Sequence, residues 1–312
     1  MKMGTKAAIA AGGILATAAG IVLGVRRIDP HPVRTMSGPA VVYTLGGGVR
    51  VLRAGGVFQS ATYLDDRRFE PVFEYHRAFD AMFANETPLA RAFGHGVREI
   101  LMLGGGAFSY PKHLLSSRRG ISLDVVEIDP SMIRAARRWF FVDDLERRLA
   151  DPDDLRGNRM RVFEADARAF IDATGETFPL SPSEDTRSRV GDVVDALPSE
   201  RYDAIVNDCF HGREPLRSLA TVEAARSLRR RLVPGGLYLC NVVSGSEGAD
   251  VSFLRDVVAT LREVFRHVHV LECTDESFGG EDNYLVVATD SEVAFASEIP
   301  YDGDFPGSVL SD

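Results

Sequence analysis

The segment EILMLGGGAFSY at residues 99–110, followed by LDVVEIDP at 123–130, constrains this chain more than any other stretch. It reads as a buried strand, a glycine turn, a helix and a second strand that ends in a carboxylate. The apolar run at 100–103 suits a parallel strand covered on both faces. Gly104, Gly105 and Gly106 let the backbone turn sharply and approach a ligand with no Cβ in the way. Glu127 falls about 20 residues beyond the turn, where an acidic side chain accepts hydrogen bonds from ribose hydroxyls. These residues spell half of a nucleotide-binding α/β unit.

The glycines do not complete a dinucleotide fingerprint. The pattern G-x-G-x-x-G would require a glycine where Ser109 stands, between the bulky Phe108 and Tyr110. A ligand with a ribose but no phosphate fits better, which points to S-adenosylmethionine (SAM) and away from NAD or FAD.

The alternation of strands and helices continues. Residues 160–164 predict a third strand, with Asp166 starting a helix, and 202–207 a fourth, ending at Asp208. A helix over 221–232 is stopped by Pro234-Gly235-Gly236 before a fifth strand at 237–243. A helix over 253–265 precedes runs at 267–271 and 283–288 that close the sheet. The expected fold class is α/β: a SAM-type Rossmann fold over 73–295, mostly parallel with an antiparallel closing strand. A helix over 73–83 leads into it, and another over 132–141 starts at Asp129-Pro130-Ser131, where Asp129 reads as a cap. Ahead of it, β-rich runs at 40–44, 49–53 and 56–63 are broken by glycines at 46–48 and 55–56. They predict a small three-stranded antiparallel β-domain over 40–72. Residues 28–39, with Pro30, Pro32 and Pro39, read as a linker, 174–198 as an insertion, and 296–312 as a tail.

Residues 7–25 carry no charge, and 19 residues just suffice to cross a bilayer as a helix. Two readings of residues 1–27 stand. One is a single-pass membrane anchor with the catalytic body on the cytoplasmic side, where SAM is available. The other is a signal segment cleaved near Ala16-Thr17-Ala18, with secretion of the remainder. The net charge of −9 leaves nucleic acid out as a main partner, because phosphate backbones demand clustered Lys and Arg. Three scattered cysteines make no disulfide framework, and no Cys/His spacing suggests a metal site.

Ligands on open α/β sheets bind at the carboxyl ends of the strands. Gly104–Gly106, Glu127, Asp166 and Asp208 all fall there. Glu127 is placed to hold a ribose, and Asp166 to accept from an adenine amino group while the Ala167 N–H donates to the ring. Asp208 would sit beside the reacting centre. The plainer alternatives are a helix cap for Asp166 and a turn for Asp208.

The glycine segment, Glu127-Ile128-Asp129, Glu164-Ala165-Asp166 and the run 202–208 together resemble the spermidine synthase family of aminopropyltransferases. Val57-Phe58-Gln59-Ser60 and Phe73-Glu74-Tyr75-His76 resemble that family's N-terminal strands and active-site entry. The resemblance spans about residues 40–290. It implies a small β-domain before the Rossmann domain, decarboxylated SAM as donor, a small-molecule amine as acceptor, no metal, and a possible homodimer. It also implies that Asp208 deprotonates the amine, that Tyr75 positions it and that Gln59 lies with the donor.

Three positions depart from the pattern. Ala107 replaces the aspartate that contacts the aminopropyl amine, His211 the aspartate that grips the diamine, and His76 a glutamine. Losing a buried ionic partner costs on the order of 3–5 kcal/mol when nothing replaces it. His76 and His211 would then form a general-base pair with Asp208. Ala107 also keeps open a SAM-dependent methyltransferase acting on a small molecule, whose donor retains its carboxylate. A non-catalytic, membrane-tethered nucleoside sensor is the third reading.

Overall fold

The computed structural model describes residues 28–155, 157–173, 199–211, 214–244, 252–273, 282–300 and 307–312. The expected anchor or signal at 1–27 and the insertion at 174–198 lie outside these residues. Among the described residues, no helix is long and apolar enough to cross a membrane.

The chain opens with an antiparallel meander of four strands in sequence order: β1 (Ile28–Thr35), β2 (Gly38–Leu45), β3 (Val49–Ala54) and β4 (Val57–Tyr63). The sequence reading assigns three strands here and makes 28–39 a linker. The structure corrects this, since those residues supply β1 and begin β2. Prolines argue against a strand only where both edges are paired. β1 is an edge strand, so the N–H groups that Pro30 and Pro32 lack can be missing from its outer side. A register shift between Ile28 and His31 bends it, and His31 stacks on Trp139 with ring centroids 5.2 Å apart.

The expected helix over 73–83 is a single turn, α1 (Tyr75–Ala78), continued by a 3-10 turn at Phe79–Phe83. After α2 (Glu86–Phe93), the Rossmann unit begins with β5 (Glu99–Leu103), α3 (Ser109–Ser117) and β6 (Ser122–Glu127). α4 (Pro130–Trp139) is capped by Asp129, whose side chain accepts from the Ser131 N–H. The chain then breaks at Phe141, in the left-handed region at φ 62°, and starts α5 (Val142–Ala150), a helix the sequence reading omits. β7 (Arg159–Glu164), α6 (Ala167–Asp172), β8 (Tyr202–Asn207), the two-residue strands β9 (Phe210–His211) and β10 (Glu214–Pro215), α7 (Val222–Arg231), β11 (Leu232–Ser244), α8 (Ser252–Arg262), β12 (His267–Glu272) and β13 (Asp282–Thr289) complete it.

The seven-stranded sheet runs β12-β13-β11-β8-β5-β6-β7. β11, β8, β5, β6 and β7 pair in parallel, and β13 pairs antiparallel with both β11 and β12. This is the mostly parallel sheet with an antiparallel closing strand that the sequence predicts. Period-two alternation divides each central strand between two layers. Ile100 and Met102 join the core containing Phe79 and Leu114, while Leu101 and Leu103 join the one containing Phe170 and Leu228. Part of the expected tail is fastened down: Leu310 N–H donates to Thr260 Oγ1, and its carbonyl accepts from Val222 N–H.

Candidate active site

Gly104 follows β5 directly and has φ +88°, a conformation that favours glycine. A Cβ there would meet the Asp208 carbonyl oxygen at 2.6 Å, so glycine lets the turn lie against the segment after β8. Gly105 and Gly106 aim their N–H groups at Glu127, and both donate to Oε2, at 3.0 and 2.9 Å. Oε1 of Glu127 accepts from Asp129 N–H at 2.9 Å. Burial pushes the Glu127 carboxyl up, and these three amide donors oppose that shift. Each carboxylate oxygen can accept more than one bond, so Glu127 keeps capacity for a ligand hydroxyl.

Asp166 caps α6 by accepting from Ala169 N–H at 2.8 Å, and it also faces the cavity together with Ala167. The cap and the ligand-facing position therefore coexist in one side chain.

Asp208 stands at the carboxyl end of β8 with its side chain 11% exposed. Tyr75 donates to Oδ2 at 3.4 Å and Asn241 Nδ2 to Oδ1 at 2.9 Å. Burial pushes the Asp208 carboxyl up to about 6, against the effect of these two donors. Burial, with Asp208 beside it, holds the Tyr75 phenol well above its ordinary value, so it stays protonated. His76 stacks on Tyr75 at 4.1 Å, and its Nε2 lies 3.7 Å from Asp208 Oδ2. Burial drops the His76 pKa to about 3, which makes its ring a neutral group and a weaker base than Asp208. His211 lies in β9, in register with Glu214.

One cavity of about 460 Å³ joins these groups. Gly104, Gly105, Gly106, Glu127, Asp166, Ala167, Gln59, Tyr75, His76 and Asp208 all line it. The N-terminal sheet walls one side with Leu52, Val57, Phe58 and Ser60. Ser60 Oγ accepts from Ala107 N–H at 3.1 Å. The cavity wall is acidic, with Glu127, Asp129, Asp166 and Asp208. Arg168 is its one Lys or Arg among the described residues, and that guanidinium is committed to Asp312 and to Asp172, each at 2.6 Å. No group of three potential metal ligands occurs among the described residues.

Sequence reasoning overlooks Asn241, Ser60 and Arg168. Asn241 has a readable signal: a polar side chain at the end of the buried run Leu237–Cys240 requires a partner. Ser60 and Arg168 depend on contacts far apart in the chain.

No protein-family model matches the chain. It is 26% identical over 225 residues to a polyamine aminopropyltransferase of Vibrio vulnificus (strain CMCP6), a match covering 72% of this chain and 60% of that protein. It is 24% identical over 217 residues to a spermine synthase of Arabidopsis thaliana, covering 68% and 50%. The chain thus spans between half and two thirds of the curated relatives it matches. Among solved structures, a probable spermidine synthase from Corynebacterium glutamicum ATCC 13032 superposes with TM-score 0.59 at 22% identity, covering 85% of this chain and 82% of that one. A spermidine synthase in complex with the transition state analogue AdoDATO gives 0.56 at 14% identity, covering 85% and 74%. The architecture is that of the spermidine synthases, a small β-domain before a SAM-type Rossmann domain. The chain is similar in sequence to polyamine aminopropyltransferases and shares the fold of spermidine synthases.

Proposed function

We propose that this chain is a transferase that moves an aminopropyl group from decarboxylated SAM to a small-molecule amine. The charge of the cavity carries the reading. Among the described residues four carboxylates line it, and its one arginine is held by two others. Such a wall favours a sulfonium donor with an ammonium tail over one whose tail bears a carboxylate. The names of the matched relatives and the AdoDATO held by a structural neighbour support the same choice.

The acceptor nitrogen attacks the carbon bonded to the sulfonium sulfur. A C–N bond forms as the C–S bond breaks, and the electron pair leaves on the sulfur of methylthioadenosine. The proton shed by the nitrogen passes to Asp208. With a pKa of about 6, Asp208 is ionised at neutral pH yet basic enough to take that proton. Tyr75 steadies Oδ2, and the neutral His76 accepts or donates a hydrogen bond without adding a charge. Glu127 holds the ribose, Asp166 and Ala167 the base, and Gln59 with the glycine turn the donor tail. Binding both partners in one cavity supplies proximity and in-line geometry.

Ala107 favours a second reading, methyl transfer from SAM, because no carboxylate at this position meets a donor ammonium. Titration calorimetry on the full chain separates the two. Tighter binding of decarboxylated SAM supports aminopropyl transfer, and tighter binding of SAM replaces it with methyl transfer. The reading also includes a homodimer and a membrane tether in residues 1–27, checked by sedimentation velocity and by fractionation of cells.

A further inference from the structure

Three large apolar side chains stand exposed among the described residues: Met36 at 66%, Val309 at 48% and Ile128 at 46%. Met36 and Ile128 line the same cavity, beside Met132. A solitary exposed apolar residue needs no explanation, but two on one cavity wall form a surface suited to an apolar ligand face. That wall adjoins Glu127, Asp166 and Ala167, the groups assigned to a ribose and its base.

Met36 does not belong to the nucleotide-binding sheet. It sits on the turn between β1 and β2, and that turn is tied to the ribose carboxylate by a chain of hydrogen bonds. Met36 N–H donates to Asp129 Oδ2 at 2.6 Å, and Asp129 N–H donates in turn to Glu127 Oε1 at 2.9 Å. Asp129 is 5% exposed and fixed by its cap on Ser131. Within the turn, Thr35 Oγ1 donates to the Gly38 carbonyl at 2.7 Å. The backbone of Met36 is therefore held beside Glu127 while its side chain stays exposed.

We propose that Met36 is a nucleoside-binding residue: its side chain packs on the purine base of the ligand whose ribose Glu127 holds, next to Ile128. A flexible, polarizable thioether suits contact with an aromatic ring. The N-terminal sheet thus contributes to donor recognition as well as walling the cavity. The inference rests on the adenosine assignment of the cavity, and not on which group is transferred, since both candidate donors carry the same nucleoside.

Titration calorimetry of 5′-methylthioadenosine into the full chain, M36A and V309A tests it. M36A should weaken binding about tenfold, as loss of most of a buried apolar contact does, while V309A stays within about twofold of wild type. M36L, of similar volume, should recover most of the loss. Wild-type affinity in M36A overturns the inference. Failure of wild type to bind methylthioadenosine overturns it together with the adenosine assignment. A preference for SAM over its decarboxylated form ends only the aminopropyl reading and leaves the role of Met36 standing.

Discussion

Asn241 donates its side-chain amide to Oδ1 of Asp208 at 2.9 Å, which directs the other carboxylate oxygen to Tyr75 and His76. The parallel pairing of β8 with β11, in register at Asn207 and Cys240, brings the two residues together. Asn241 is 4% exposed, and its Oδ1 has no hydrogen-bond partner among the described residues. The amide favours the ionised carboxylate against the burial that raises its pKa.

N241A should therefore move the acid limb of kcat/KM, expected at about 6 in wild type, upward by about one pH unit. Because the ionised fraction sets the rate, kcat/KM should fall about tenfold at pH 5, about twofold at pH 7, and recover at pH 9. A loss of the same size at every pH would mean that Asn241 only supports the fold.

D208N should lower turnover by about 10²–10⁴-fold, the usual worth of a positioned base, while methylthioadenosine affinity stays within about threefold. It should also stabilise the chain. The folded pKa, at about 6, lies above the ordinary aspartate value of 3.8, so between those values the folded chain holds a proton that the unfolded chain has lost. Stability from this group therefore falls as pH rises through that window, and the ionised form costs the fold about 2–3 kcal/mol above it. Urea melts should show D208N more stable than wild type at pH 7, with the gap closing at pH 4. An unchanged gap would show that Asp208 is not strained by burial.

Much of this site is legible in the sequence because its carriers are local. The glycine turn and Glu127 lie on adjacent strands at a spacing that topology dictates, and Asp166 and Asp208 each end a run of strand residues. What escapes is set by tertiary placement. β1 reads as a linker because Pro30 and Pro32 are judged without knowing that the strand lies at an edge. The break at Phe141 needs a left-handed non-glycine residue that no sequence signal announces. His76 reads as a general base from its ordinary pKa, but burial makes it neutral.

G104A should destabilise the chain by about 2–4 kcal/mol, from the left-handed backbone and the overlap with the Asp208 carbonyl. G105A has ordinary φ, but a Cβ would meet the Phe108 ring at 3.0 Å, so part of its cost is relieved by ring movement. The distinguishing result is activity at a temperature where both variants are folded. Only G104A displaces Asp208, so it should lose more turnover than its stability loss predicts. Equal residual activity in the two would deny that contact a catalytic consequence.

Lys112 offers the last test, because it ties α3 to the N-terminal sheet and to the end of α4 through an amine with no carboxylate partner among the described residues. It is 1% exposed, and Nζ donates to Thr62 Oγ1 at 3.0 Å, to the Arg68 carbonyl at 3.1 Å and to the Phe140 carbonyl at 2.9 Å. Thr62 lies in β4, Arg68 in the segment after it and Phe140 at the end of α4. Burial lowers the Lys112 pKa from 10.5 to about 7, so above pH 7 the unfolded chain holds a proton that the folded chain has released. Stability from this group therefore rises with pH, by about 2–3 kcal/mol between pH 7 and 9. The neutral amine keeps two N–H donors, and the Arg68 carbonyl also accepts from Thr62 Oγ1 at 3.0 Å, so deprotonation need not strand an oxygen. K112M removes both the titration and the donor, leaving buried oxygens unsatisfied at a cost of about 1–3 kcal/mol. Urea midpoints should show wild type gaining on K112M from pH 7 to pH 9, and parallel pH profiles would place the Lys112 proton elsewhere.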